Sequence, residues 1–198
     1  MYSFLTVWQN QPIIRVRKRQ IFFINISAGV GGKCSMEGKR LTSYAMEELE
    51  CPKCGHKHSL KKYKVINVTE KAKLKEEIMK NRLYQFSCEE CEYMAPLTYD
   101  SLYVDSRKNI MIYMAPVMNA EIKVEIAELE QEKGIDKRLV DNINDLKEKI
   151  MIADNHLDDR VIEIIKIMYI DQMKKEMEDD TLLNILFDYN RDNYCFLV

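Results

Sequence analysis

Apolar and polar residues change rhythm several times along the chain, and each rhythm predicts an element. Between Ser59 and Val68, the positions Leu60, Tyr63, Val65 and Val68 give an irregular strand. Thr69 then offers an N-cap for a short helix with Ala72, Leu74, Ile78 and Met79 along one side and an end near Asn81. Leu83, Tyr84 and Phe86 predict a further strand. Leu102-Tyr103-Val104 and Ile110-Met111-Ile112-Tyr113-Met114 flank the polar turn Asp105-Ser106-Arg107-Lys108-Asn109, which reads as a hairpin stopped by Pro116.

The second half turns helical. Residues 117–135 read as a linker, but Asn119 to Lys133 alternates charged and aliphatic residues up to Gly134 and is taken as a helix over a strand. Asp136 to Val140 is a brief strand. Asn142 with Asp145 resembles a capping box for a helix with Ile143, Leu146, Ile150 and Ala153 on one face, closed by Asn155 in a left-handed conformation. Asp158 and Asp159 open the next helix, where the dipole favours acids, and Val161, Ile164, Ile165 and Met168 are its expected buried stripe. These two form a helical hairpin. Leu182 to Phe187 and Tyr194 to Val198 predict a terminal β-hairpin whose last strand, Phe196-Leu197-Val198, is apolar enough to need packing.

Two cysteine knuckles lie at strand ends in this pattern: Cys51-Pro52-Lys53-Cys54-Gly55 and Cys88-Glu89-Glu90-Cys91. Two CxxC pairs on tight turns supply the four sulfurs of a tetrahedral zinc site, so Cys51, Cys54, Cys88 and Cys91 are the candidate ligands of one Zn2+ per chain. His56 and His58 follow the first pair. Histidines so placed more often border such a site than replace a thiolate in it. Cys34 and Cys195 lack partners at metal spacing and read as small apolar residues.

Residues 1–45 behave differently. They hold an apolar opening, seven bases against the single acid Glu37, a possible strand at Ile21 to Ile26, and the stretch Gly29-Val30-Gly31-Gly32-Lys33. That stretch lacks the glycine spacing of a P-loop, and Cys34 replaces its Ser or Thr. The basic run followed by Ile21 to Ile26 is short, interrupted by Asn25 and without a clean cleavage site, which weighs against a secretory signal. The segment reads as a poorly structured extension, or as sequence ahead of a start at Met36 or Met46.

With 46% hydrophobic residues in 198, the chain can bury one good core or two small ones. The rest of the chain carries 23 bases and 31 acids, a balance unfavourable for gripping a phosphate backbone. Locally, between Cys51 and Cys91, ten bases face five acids, and Lys57, Lys61, Lys62, Tyr63 and Lys64 interleave cations with an aromatic, the one nucleic-acid candidate. A solvated strand face is the commoner meaning of such a run. Six cysteines, four of them at ligand spacing, suit a reducing cytoplasm, and no apolar stretch is long enough for a transmembrane helix.

The first knuckle, Ile66-Asn67-Val68-Thr69, the second knuckle, Leu102-Tyr103, Ile112-Tyr113-Met114, Glu148-Lys149-Ile150 and Leu157 to Glu163 together resemble the CpXC domain family. This family of bacterial and archaeal chains is named for two Cys-Pro-x-Cys motifs. The resemblance runs over about residues 47–198, is weakest across 117–135, and implies the same four cysteines as the family's cysteine set. The chain departs from it in the second knuckle, where Glu89 replaces proline and Glu92 stands where glycine is usual, at a turn position that needs a positive φ.

Four protein sulfurs leave a zinc ion no open position, so three-ligand hydrolytic chemistry is unsupported, and HExxH, GxSxG and dinucleotide-binding glycine fingerprints are missing from the sequence. Asp158 and Asp159 point in different directions on a helix, which suits capping better than acid–base work. We therefore expect an α+β protein: a zinc-ribbon-like antiparallel β module over 46–116, a helical hairpin, and a C-terminal β-hairpin packed on the module. The expected role is a non-catalytic, cytoplasmic zinc-binding module that contacts a protein partner. A nucleic-acid-binding ribbon using the Lys57 to Lys64 face is the alternative, and a thiol/zinc redox switch the third reading.

Overall fold

The computed structural model describes residues 40–176, 185–190 and 193–197. The readings at Ile21 to Ile26, Gly29 to Lys33, Cys34, Leu182 to Asn184 and Val198 lie outside the described residues. The described elements are those of an α+β protein. A five-stranded sheet has the order β1 (Ser43–Glu50), β2 (Lys57–Asn67), β3 (Ser101–Asp105), β4 (Ile110–Met114) and β5 (Asp136–Val140). β1 takes up Ser43, Tyr44 and Ala45 together with the residues from Met46 onward.

The sheet is mixed, which corrects the expectation of an antiparallel module. β1–β2 and β3–β4 are antiparallel, whereas β2–β3 and β4–β5 are parallel. The reason lies in the connections. Between β2 and β3 the chain inserts helix α1 (Lys73–Met79), a 3-10 turn at Arg82–Tyr84 and the short hairpin β6 (Gln85–Ser87) and β7 (Met94–Pro96), and a crossover of that length returns the chain in the same direction. Between β4 and β5, helix α2 (Ala120–Gln131) does the same. The Asn119 side chain caps it by accepting from the Ile122 amide at 2.8 Å.

Both faces of β3 and β4 are covered, so these strands read as unbroken apolar runs rather than alternating ones. Tyr103, Ile110, Ile112 and Met114 join Ile66, Val68, Ile78, Leu146 and Ile150 under α1 and helix α3 (Ile143–Asp154). Leu102, Val104, Met111 and Tyr113 face Ile122 and Leu129 of α2 on the other side. The segment 117–135 thus supplies a crossover helix with two buried anchors. Caps differ in two places from expectation. Ala72, not Thr69, precedes α1, and Thr69 Oγ1 accepts from the Ser106 amide at 2.7 Å. His156, not Asn155, takes the left-handed conformation after α3, at φ 55°.

Helix α4 (Asp159–Glu176) overturns a stronger expectation. Of the anticipated buried stripe, Val161, Ile164 and Met168 are 50%, 54% and 66% exposed, and Ile165 is half-buried. The inward face carries Ile162 with Asp159, Glu163 and Lys166, and the charges find partners. Lys166 Nζ sits 2.9 Å from both Glu148 carboxylate oxygens and 3.1 Å from Glu163. Lys149 pairs with Asp159 at 2.6 Å and with Glu163, and Arg138 of β5 also reaches Asp159. Glu148 Oε1 also accepts from the Phe187 amide at 2.6 Å, which ties in the terminal hairpin β8 (Leu186–Asn190) and β9 (Asn193–Leu197). Phe187 and Phe196 close a small core with Ile152 and Ile162.

Burial pushes the Glu148 carboxyl up, against the Phe187 amide and Lys166. Burial also works to lower Lys149, but Asp159 and Glu163 outweigh it and hold its ammonium charged. Such a cluster tolerates the loss of a pair better than the loss of one partner. Lys166→Met is expected to cost about 3–5 kcal/mol in urea unfolding, because Glu148 loses its main counter-charge. Glu148→Gln combined with Lys166→Met keeps an acceptor for the Phe187 amide and is expected to recover most of that loss. A double variant no more stable than Lys166→Met alone would contradict this account.

Candidate metal centre

The two knuckles are built alike. At the first, Cys51 N donates to His56 O at 2.8 Å and Gly55 N to Cys51 O at 2.8 Å. At the second, Cys88 N donates to Tyr93 O at 2.8 Å and Glu92 N to Cys88 O at 3.0 Å. The equivalent residues Gly55 and Glu92 both have positive φ, 73° and 56°. Each turn closes a hairpin, β1–β2 for the first and β6–β7 for the second, so both present two sulfurs at a hairpin tip. Pro52 presets the φ of the first turn, and Gly55 completes it without strain.

The hairpins bring the tips together. Sγ of Cys51 lies 3.6 Å from that of Cys91, and Sγ of Cys54 lies 3.5 Å from that of Cys88. All four sulfurs fall within 4.8 Å of one another. A tetrahedron with metal–sulfur bonds of about 2.3 Å has edges of about 3.8 Å, close to the two shorter separations. A disulfide needs sulfurs about 2.05 Å apart, so these thiols are free. The donor set therefore fits a thiophilic metal ion, and these four cysteines are the residues that would hold it. Cys51, Cys88 and Phe86 are buried, with Leu60, Cys91, Tyr93 and Leu97 packed around them.

The thiols resist ionising together. Burial raises Cys51, but the Cys54 and Lys53 amides and neighbouring thiols bring it down to about 7. The His56 amide lowers Cys54, yet burial and the thiols of Cys91, Cys88 and Cys51 push it up to about 12. Cys91 is also raised, first by burial. One proton leaves readily and the next are held, as expected for like charges crowded into one site. A divalent cation removes that conflict by replacing the protons.

The family model described as "CpXC protein" matches residues 49–166, which span both knuckles and most of the sheet. The chain belongs to the CpXC family. Neither curated proteins nor solved structures gave a match. The match ends within α4, so the terminal hairpin lies beyond it. Within this CpXC chain, Glu92 adopts the left-handed conformation that a glycine usually supplies, so the departure is absorbed as backbone strain and the ligand positions are kept. Glu89 and Glu90 are exposed and leave the turn's geometry unchanged.

His58 lies beside the sulfurs rather than among them. Its Nε2 is 3.2 Å from Cys88 Sγ, and its ring meets Phe86 edge-on at 5.4 Å and His56 at 4.8 Å. With Nε2 protonated it donates to the thiolate, which supports the ligand without joining the tetrahedron.

The basic residues of β2 are differently placed. Lys61 stacks over the Tyr44 ring at 4.9 Å, Lys62 pairs with Glu47 at 2.6 Å, and Lys64 pairs with Asp100 at 3.2 Å. Tyr63 is half-buried against the main core and 5.7 Å from Tyr44, while Lys57 is exposed beside the first knuckle. Asp158 Oδ1 accepts from the Arg160 amide at 2.9 Å, and Asp159 is ion-paired with Lys149. Cys195 lies far along the chain in β9, where its thiol reaches Asp188 O at 3.5 Å.

Relieving the left-handed Glu92 tests the turn. Glu92→Gly is expected to stabilise the protein by about 1 kcal/mol, a rise in Tm of about 2–4 °C, with metal content unchanged. A lower Tm would show that Glu92 contributes something its geometry does not reveal.

Proposed function

We propose that this CpXC chain is a non-catalytic zinc protein: Cys51, Cys54, Cys88 and Cys91 hold one Zn2+ as a structural crosslink, and the fold built around it contacts another macromolecule, a protein first. One observation carries this reading. Four sulfurs from two knuckles, 34 and 40 residues apart in their closest pairs, meet within 4.8 Å. All-thiolate tetrahedra suit zinc, and a closed set of four gives no coordination position for a reacting water. The crosslink's work is to hold together a small core, Cys51, Phe86 and Cys88, beside strands of three residues. Thiolates held in this way suit a reducing compartment such as the cytoplasm.

The nucleic-acid reading draws support from the exposed Lys57, Lys61 and Lys64. It is weakened by the carboxylates already paired with Lys62 and Lys64 and by Tyr63, whose ring packs inward and offers no stacking platform. Retention on mixed DNA or RNA is expected to be negligible even at low salt. Retention that falls steeply with salt and is lost in Lys57→Glu/Lys61→Glu would favour the second reading. The redox reading requires thiols that react while the metal is in place; masked thiols until a chelator is added would count against it.

Metal analysis of the purified protein is expected to give about one zinc per chain. Cys88→Ser is expected to lose most of that zinc, and chelation to remove hydrogen-exchange protection from β6 and β7 while the α3-covered sheet keeps its own. A well-ordered protein with no bound metal, or with iron in stoichiometric amount, would overturn the proposal.

A further inference from the structure

Helix α4 presents its charges inward and its aliphatic residues outward. Val161, Ile164, Ile167 and Met168 are 50%, 54%, 47% and 66% exposed, although three of them fall at helical spacing on one stripe. The opposite face is committed: Asp159, Glu163 and Lys166 are engaged with Arg138, Lys149 and Glu148. Rolling the helix to bury the stripe would strand those charges, so the apolar face is fixed towards the outside. A contiguous apolar stripe held in that position marks an interaction surface.

The charges around the stripe identify its occupant. Arg160 and Asp171 lie on the same flank, on the side of Ile167, at opposite ends of the stripe and about 16 Å apart along the axis. When two such helices pair antiparallel about a two-fold axis, like flanks meet, and Arg160 of each copy comes opposite Asp171 of the other. A parallel pair would bring unlike flanks together, so Arg160 and Asp171 would face the opposite side of the partner's stripe and find no counter-charge in each other. In the single chain Arg160 pairs with Asp158 at 2.7 Å and Asp171 with Lys175 at 2.6 Å, both exposed local pairs. Such exposed pairs contribute little and are easily extended across an interface.

We propose that α4 is a self-association helix, through which two copies of this chain pair antiparallel on Val161, Ile164, Ile167 and Met168, with Arg160 and Asp171 setting the direction. The interface is isologous, and the aliphatic stripe supplies its water-excluded centre. It names a partner for the contact role proposed above but does not depend on the metal, since α4 carries none of the four cysteines.

Sedimentation equilibrium of the full-length chain, with metal content and far-UV circular dichroism recorded on the same samples, tests this. The wild type is expected to be a dimer in the micromolar range. Ile164→Glu places a charge in the centre of the stripe and is expected to raise the dissociation constant by at least about 100-fold. Arg160→Glu and Asp171→Arg are each expected to weaken the dimer by about tenfold, and the two together to restore it. The three residues altered in these variants are at the surface, so unchanged dichroism and metal content are expected throughout. A monomeric wild type, a dimer that survives Ile164→Glu, or a charge-swapped double variant no tighter than the single ones would overturn the proposal.

Discussion

The structure around the knuckles depends on one electrostatic constraint: four thiols gathered within 4.8 Å cannot all become thiolates unless a cation sits among them. The chain has gone to some length to assemble them. Two hairpins that share little beyond the CxxC spacing adopt the same turn, with the same pair of backbone hydrogen bonds and a left-handed residue at the same position, and their tips then meet across the small core of Phe86 and the cysteines. Strands of three residues with so little apolar cover are marginal by themselves. A metal crosslink closing loops of this length removes disorder from the unfolded chain as well as holding the folded one.

The second hairpin also shapes the sheet. Because it is inserted with α1 between β2 and β3, the chain re-enters the sheet parallel to β2, and the knuckle module becomes an excursion from a mixed sheet. The sulfur site is therefore anchored on one side by β2, which runs from the first knuckle directly into the main core at Ile66. His58 stands at this junction. It is a strand residue of β2 that reaches Cys88 of the other hairpin, so it links the two tips outside the metal's own ligands.

Much of this was legible in the residues. The CxxC spacing identified the four sulfurs, Asn119 and Asn142 identified two helix starts, and the polar run 105–109 identified a hairpin. What was not legible shares a cause: local pattern gives an element but not its neighbours. Nothing in the apolar runs of β3 and β4 distinguishes strands covered on both faces by crossover helices from a plain hairpin, so the parallel pairings were hidden. In α4 the period was correct and the direction inverted. Amphipathicity assigns the apolar stripe to the core only when the polar stripe has no buried partners, and here Glu148 and Lys149, adjacent in sequence, provide them from α3. Glu148 and Lys149 were seen as part of a family motif, yet their role as buried counter-charges required the packing of α4 and β8.

The central claim is that the four cysteine sulfurs share one metal ion, and X-ray absorption at the zinc edge of the purified protein tests it most directly. The account expects four sulfur scatterers at about 2.3 Å and no nitrogen or oxygen in the first shell. A first shell containing imidazole nitrogen would replace one cysteine with His58 or His56, and a shell with water would open the site; either result would contradict the closed, structural centre described for this chain.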